Sequence, residues 1–334
     1  MKVFIHYRPR RGLGFEGARL RKNLKGECEI AGIAWTDSRL VDPDLAHFLS
    51  PFDLSLLRSY RQKKVKTIVS AFYCERDPHA AFLQLTRKGM RLSQAGKAML
   101  NAADLVLVPN ERLKSFARDE GVTSPIRVLP SSVNPARFNL SPLERELFYR
   151  YFGVREESQL VVCNGSYREK GKLRSLLKIA KLCPEVRFYF FGFAGVGMGA
   201  RLRRYQSQAP ENLVFATLLE DDVYRSALER SSAYLVLNSL PDGISLLEAF
   251  ASKSQVIAMG EQSYNPLLVK DVTALVVSNE EEVAQAIADI YLRRGKETII
   301  ASYAAAKKYS LAKQAMELQA TYIAALSPLE EPHD

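Results

Sequence analysis

The run Tyr234-Leu235-Val236-Leu237-Asn238 leads into Ser239-Leu240-Pro241-Asp242-Gly243-Ile244-Ser245-Leu246-Leu247-Glu248-Ala249-Phe250-Ala251, and Gln255-Val256-Ile257-Ala258-Met259 follows. A short apolar run, a Pro-Asp-Gly turn, a stretch of helical spacing and a second apolar run read as strand, loop, helix and strand. Both apolar runs are continuous rather than alternating, which a parallel sheet covered on both faces requires. The Gly-bearing loop entering a helix presents backbone N–H groups and the positive end of the helix dipole, a setting that suits a diphosphate. Glu248, on the first turns, is placed to accept hydrogen bonds from ribose hydroxyls. A plain loop with a charge near a helix start accounts for the same residues.

Outward from this stretch the same rhythm recurs. In the first half, apolar runs fall at Val3–Tyr7, Ile30–Trp35, Leu45–Leu49, Thr67–Phe72, Leu105–Pro109 and Ile126–Leu129. In the second they fall at Leu160–Asn164, Val186–Gly192, Leu213–Phe215, Tyr234–Asn238, Gln255–Met259 and Ala274–Val277. Helical periodicity separates them, so a βαβα alternation runs twice and predicts two doubly wound α/β sheets. Pro130-Ser131-Ser132-Val133-Asn134-Pro135 and Ser141-Pro142 interrupt the pattern and place the link within about 130–158. The expected division is 1–140 and 141–310, with 311–334 a terminal helix and tail. Two such domains facing a central cleft would hold a ligand at the carboxyl ends of their strands.

The 334 residues allow two domains, and 47% hydrophobic with 25% charged residues is ordinary globular usage. No window reaches the length of a membrane span, and Met1-Lys2-Val3-Phe4-Ile5 reads as a first strand rather than a leader, so a cytoplasmic location is expected. Cys28, Cys74, Cys163 and Cys183 have no zinc-type spacing and read as small buried hydrophobes. Net charge is +10. Residues 1–150 hold 26 Lys+Arg against 15 Asp+Glu, leaving 47−26=21 against 37−15=22 for the rest, so the entire excess lies in the first half. Its expected partner is a nucleic acid or an anionic membrane surface, unless the charge is only solubilising.

The Asp242–Ala251 stretch with Gln255-Val256-Ile257 resembles the nucleotide-sugar signature of the retaining GT-B glycosyltransferases of family four. Asn164-Gly165-Ser166-Tyr167-Arg168-Glu169-Lys170-Gly171 is similar to the family's diphosphate loop, and Leu129–Phe138 to its interdomain segment. Tyr309-Ser310 with Tyr322 resembles its terminal helix, which crosses back to the first domain. The glycine-rich Arg10–Arg19 loop resembles the loop that approaches donor and acceptor, and its spacing is not that of a dinucleotide fingerprint.

The resemblance implies a metal-independent hexosyltransferase that takes a nucleotide-sugar, a UDP-sugar first among them, as co-substrate with no cofactor. Lys170, Arg168 and Asp242 are its implied catalytic residues. Gly12, Gly14, Gly165, Ser166, Gly243, Ile244, Ser245, Leu246 and Glu248 are its donor contacts. Three positions depart from the family. Leu240 stands eight residues before Glu248, where a carboxylate is usual, so Asp242 takes that role through a two-residue deletion. Ser166 replaces an arginine, and Phe72 stands where a histidine lines the acceptor site, leaving Glu75, Asp77 and His79 as polar acceptor-side groups. His6 and His47 lie in strand-like runs and read as packed.

Charge on the departing diphosphate is met, in this reading, by fixed cations and helix amides. The basic first half then bears on the acceptor. Phe82–Ala103, carrying Arg87, Lys88, Arg91 and Lys97, reads as a helix that either docks on an anionic leaflet or packs with a solvated basic face. A lipid or lipid-linked glycan acceptor and a peripheral position on the inner face of the membrane follow from the first. The departures equally motivate an accessory GT-B-like subunit that binds without turnover. Nucleic-acid binding has no recognised module behind it.

Overall fold

The computed structural model describes residues 1–8, 14–72, 82–86, 89–154, 159–167, 170–193, 199–217, 219–237, 243–260, 265–291 and 296–327. The chain divides into two compact units: one holds Met1–Arg10, Glu16–Ser132 and Ser310–Asp334, and the other holds Arg11–Phe15 and Val133–Tyr309.

In the first unit, strands β1 (Lys2–His6), β2 (Ala34–Thr36), β3 (Leu45–Phe48), β4 (Lys66–Ser70), β7 (Leu105–Val108) and β8 (Ile126–Val128) join in the order β2-β1-β3-β4-β7-β8. Every pairing is parallel. Alternate side chains of each strand feed opposite cores, as the two-residue period demands. Phe4 packs on one face with Leu57, Tyr60 and Met99. Val3 and Ile5 pack on the other with Leu24, Cys28, Leu318 and Tyr322. The terminal helix Leu311–Leu326 thus covers part of the first sheet, and Gln319 Nε2 donates to the Ala31 carbonyl at 2.8 Å.

Of the helix expected over 82–103, only Gln94–Ala102 forms. Strands β5 (Leu83–Thr86) and β6 (Gly89–Leu92) pair antiparallel, and a helix begins only at Gln94. Leu83/Leu85 and Met90/Leu92 alternate with Gln84, Thr86 and Arg91, a period of two. Leu83 and Leu92, opposite each other, are buried beside Phe72 and Phe82. The Ser93 hydroxyl then caps the new helix by accepting from the Gly96 amide at 2.9 Å. A second correction concerns Ile30, which ends the helix Gly14–Ile30 rather than starting a strand. The strand begins at Ala34, after Gly32 adopts the left-handed conformation that ends the helix.

In the second unit, β9 (Leu160–Ser166), β10 (Arg187–Phe193), β11 (Leu213–Thr217), β12 (Ala233–Val236), β13 (Gln255–Met259) and β14 (Leu275–Val277) form a second parallel sheet, ordered β11-β10-β9-β12-β13-β14. Val162, Tyr189 and Phe191 face one core with Leu246 and Phe250. Val161, Cys163 and Phe190 face the other with Leu173, Leu176 and Ile179. Among the described residues no helix is long and apolar enough to cross a membrane. Cys28, Cys163 and Cys183 are buried free thiols, and Cys74 lies outside the described residues.

Candidate functional site

The order of the second sheet places the candidate residues. The chain builds outward from β9 to β10 and β11, then returns to lay β12 against the other edge of β9. Its carboxyl edge between β9 and β12 is the point where the winding reverses, the position where open α/β sheets hold ligands. Leu235 of β12 is in register with Cys163 of β9, so the segments leaving the two strands start about 5 Å apart. One leads from Gly165-Ser166 to Lys170, and the other leads to Gly243 and Glu248. Segments 78 positions apart in the chain, 243−165 and 248−170, thereby leave from one sheet edge.

On the β9 side, Gly165 is buried in register with Gly192, and Ser166 ends the strand opposite Phe193. Tyr167 follows, fully buried, and its hydroxyl donates to the Ala216 carbonyl at 2.6 Å. Burial pushes its phenol pKa upward, so it stays a neutral donor. The ring occupies the space a side chain at 192 would need: a Cβ there would lie 2.4 Å from Tyr167 Cε2 and 2.6 Å from Phe190 Cε1. Glycine at 192 therefore permits the anchor that fixes the turn, and the helix Lys170–Leu182 starts three residues on with Lys170 exposed at its N-terminus.

On the β12 side, all eight residues of the helix Ile244–Ala251 are buried, in keeping with its nearly all-apolar sequence. Gly243 is the N-cap and supplies no side-chain cap, so the first-turn amides are left to other acceptors. Glu248 is the single charged residue of this helix and is 3% exposed. A carboxylate at that depth is retained only where hydrogen-bond donors meet it. Ile244, Ser245 and Leu246 are buried around the same N-terminus.

Gly14 opens the helix Gly14–Ile30. Phe72 is in the left-handed region (φ 67°), 1% exposed, with its ring against Phe82 and Phe116. Gly12, Glu75, Asp77, His79, Arg168, Leu240 and Asp242 lie outside the described residues.

The first unit also holds a group that sequence reading set aside as packed. His6 ends β1, and its Nε2 lies 2.7 Å from Asp53 Oδ2, while Arg8 Nη1 meets Asp53 Oδ1 at 2.8 Å. Burial would raise the Asp53 carboxyl, but the hydrogen bonds and positive charge of His6 and Arg8 hold it below its ordinary value. Burial lowers the His6 pKa against the opposing pull of Asp53, keeping the ring neutral near pH 7. The available signal was Asp53 at a helix start, with no acidic partner in the first turn of that helix. Only the fold brings a residue 47 positions away to it.

No protein-family model matches the chain. The processive diacylglycerol alpha-glucosyltransferase of Acholeplasma laidlawii is 21% identical over 326 residues, which span 96% of this chain and 98% of that protein. The crystal structure of Anabaena HepE in complex with UDP and glucose superposes with a TM-score of 0.74 at 12% identity, covering 97% of this chain and all of that one. A glycosyltransferase from Rickettsia africae gives 0.65 at 15% identity over 98% of both chains. The chain has the GT-B fold.

Proposed function

We propose that this GT-B chain is a nucleotide-sugar-dependent hexosyltransferase that moves a sugar from a UDP-sugar to a hydroxyl acceptor with retention of configuration. One observation carries the reading: the two segments with donor-site chemistry leave adjacent strands at the reversal point of the second sheet. The likeness to HepE, solved with UDP and glucose, supports the choice of donor. Lys170, Arg168 and the amides of Gly243–Ser245 stabilise the departing diphosphate, and Glu248 orients the ribose. Asp242 contacts the transferred sugar. No metal enters this scheme, because fixed cations and the helix N-terminus meet the developing charge.

The first unit supplies the acceptor side, with Phe72, Glu75, Asp77 and His79 as its candidate residues. A membrane lipid is the acceptor of choice, supported by the diacylglycerol acceptor in the relative's name and by the basic excess of residues 1–150. Arg58, Arg61, Lys63 and Lys64 are exposed on the helix Leu54–Gln62 and the turn after it. They would draw the chain to the inner, anionic leaflet as a peripheral cytoplasmic protein.

Calorimetric titration with UDP, UDP-glucose, UDP-galactose, UDP-N-acetylglucosamine and GDP-mannose tests the donor reading. Uridine ligands are expected to bind, and binding by none of the five in a folded sample would leave a non-catalytic accessory subunit as the better account. Sedimentation with phosphatidylglycerol vesicles at low salt tests the lipid reading, which fails if the protein stays in the supernatant.

A further inference from the structure

The first sheet has its own reversal point. The chain runs from β1 out to β2, then crosses to lay β3 on the other side of β1. His6 closes β1 opposite Phe48 of β3, so its ring stands at the carboxyl edge between those two strands. We infer that His6, held by Asp53, binds the acceptor by taking a hydrogen bond from the attacking hydroxyl at its second ring nitrogen, Nδ1. This inference rests on the transferase reading above.

Three features separate this histidine from a packed one. First, the Asp53 carboxylate is not spent where its position would direct it. Asp53 is the N-cap of Leu54–Gln62, where aspartate ordinarily accepts from the first-turn amides, and no such bond forms. Its two oxygens serve His6 and Arg8 instead. Second, the ring is clamped: it stacks on Phe4 at 5.7 Å and 19° and meets the edge of Phe48 at 5.4 Å. An ionised carboxylate at 2.7 Å accepts a hydrogen bond from Nε2–H, which leaves Nδ1 of the neutral ring as a lone-pair acceptor in a fixed direction.

Third, the molecule contains the contrasting case. His47, one strand away on β3, has both nitrogens engaged at 2.6 Å, by Tyr322 and Ser70, and is fully buried. That histidine is structural. Among the described residues His6 has one nitrogen held, and it keeps 9% exposure. Arg39 and Arg21 add positive potential that disfavours the protonated ring, Asp53 opposes them, and Arg8 sits on the far oxygen of the carboxylate. As the acceptor oxygen bonds to the anomeric carbon and the carbon–oxygen bond to the diphosphate breaks, the hydroxyl proton passes along its hydrogen bond to Nδ1, and the imidazolium held by Asp53 afterwards releases it to water.

The test uses the full chain with UDP-glucose and three hydroxyl probes: dioleoylglycerol in phosphatidylglycerol vesicles, glycerol, and methyl α-glucoside. UDP affinity by calorimetry reports whether the donor unit is intact in each variant. His6→Gln is expected to lower acceptor kcat/KM by about tenfold or more, the loss of one positioned hydrogen bond. The acid limb of the wild-type acceptor kcat/KM reports protonation of His6. In Asp53→Asn that limb moves to lower pH, because Asp53 raises the His6 pKa. A merely structural pair would lower thermal stability and leave the limb in place. Acceptor kcat/KM within about twofold of wild type in His6→Gln overturns the inference, as does an unmoved limb or wild-type protein that binds UDP yet glycosylates none of the probes. Failure of the wild type to bind UDP would instead remove the transferase reading on which it rests.

Discussion

Replacing Glu248 by glutamine isolates one interaction at the proposed donor site. The residue is 3% exposed, in a helix whose eight residues are all buried, so glutamine keeps the volume and removes only the charge. A ribose presents two hydroxyls to the carboxylate. The amide keeps one acceptor oxygen and turns a donor toward the other hydroxyl, so one charge-assisted hydrogen bond is lost and the other becomes neutral. At about 1.5–3 kcal/mol for a hydrogen bond to a charged group, the net loss is about 2–3 kcal/mol. That is about 30- to 150-fold in the dissociation constant for UDP. The measurement is calorimetric titration of both proteins with UDP, and urea unfolding checks that the fold persists. Equal affinities in two equally stable proteins would show that Glu248 does not touch the nucleotide, and the ribose assignment would fall.

Gly192→Ala drives a methyl group to 2.4 Å from the Tyr167 ring, so overpacking of about 1–3 kcal/mol and weaker UDP binding are expected together; thermal unfolding and calorimetry read both, and an unchanged melting temperature refutes the close-packing account. Burial pushes the Glu27 carboxyl from 4.5 up to about 7, with Ser132 partly offsetting it. A raised pKa means the folded state holds the proton longer, so its contribution is intact below pH 4.5 and is lost as pH rises through 7. Glu27→Gln should therefore gain up to about 3 kcal/mol over wild type at pH 9 and nothing at pH 4, by urea unfolding at both. His47 is lowered by burial from 6.5 to about 3, so folding excludes its proton and stability falls with acid between those values. His47→Gln should start less stable than wild type at pH 7, and the gap should close by about 1.4 kcal/mol per pH unit below 6.5. A constant gap would contradict a neutral buried ring.

The twelve strands of the two parallel sheets were legible because a strand buried on both faces must be apolar at nearly every position, a local signal. The stretch 82–103 was misread because Leu83, Leu85, Met90 and Leu92 satisfy a helical and an alternating template over so short a span. What settled it was tertiary: Leu83 and Leu92 gain a buried pairing beneath Phe72 and Phe82 that a helix would not provide. The segments proposed to hold the donor stood out one by one, through glycines before helices and an isolated glutamate in an apolar run. Their adjacency did not, since it depends on β12 returning to β9. Tyr167 and Gly192 gave no signal, being an ordinary tyrosine and glycine until one occupies the space the other leaves.

The histidines mark the same boundary. By itself the sequence determined that His6 and His47 sit in apolar strands, that the chain makes two doubly wound sheets, and which loops run from a glycine into a helix. Each of these follows from residue types within a few positions of one another, where propensity and periodicity act. Only the tertiary structure decided that His47 is saturated by Ser70 and Tyr322, the latter 275 residues away, while His6 has one nitrogen held by an aspartate drawn off its own helix cap. Hydrogen bonding is short-ranged in space and indifferent to separation along the chain, so the state of a buried polar group is set by the fold that surrounds it.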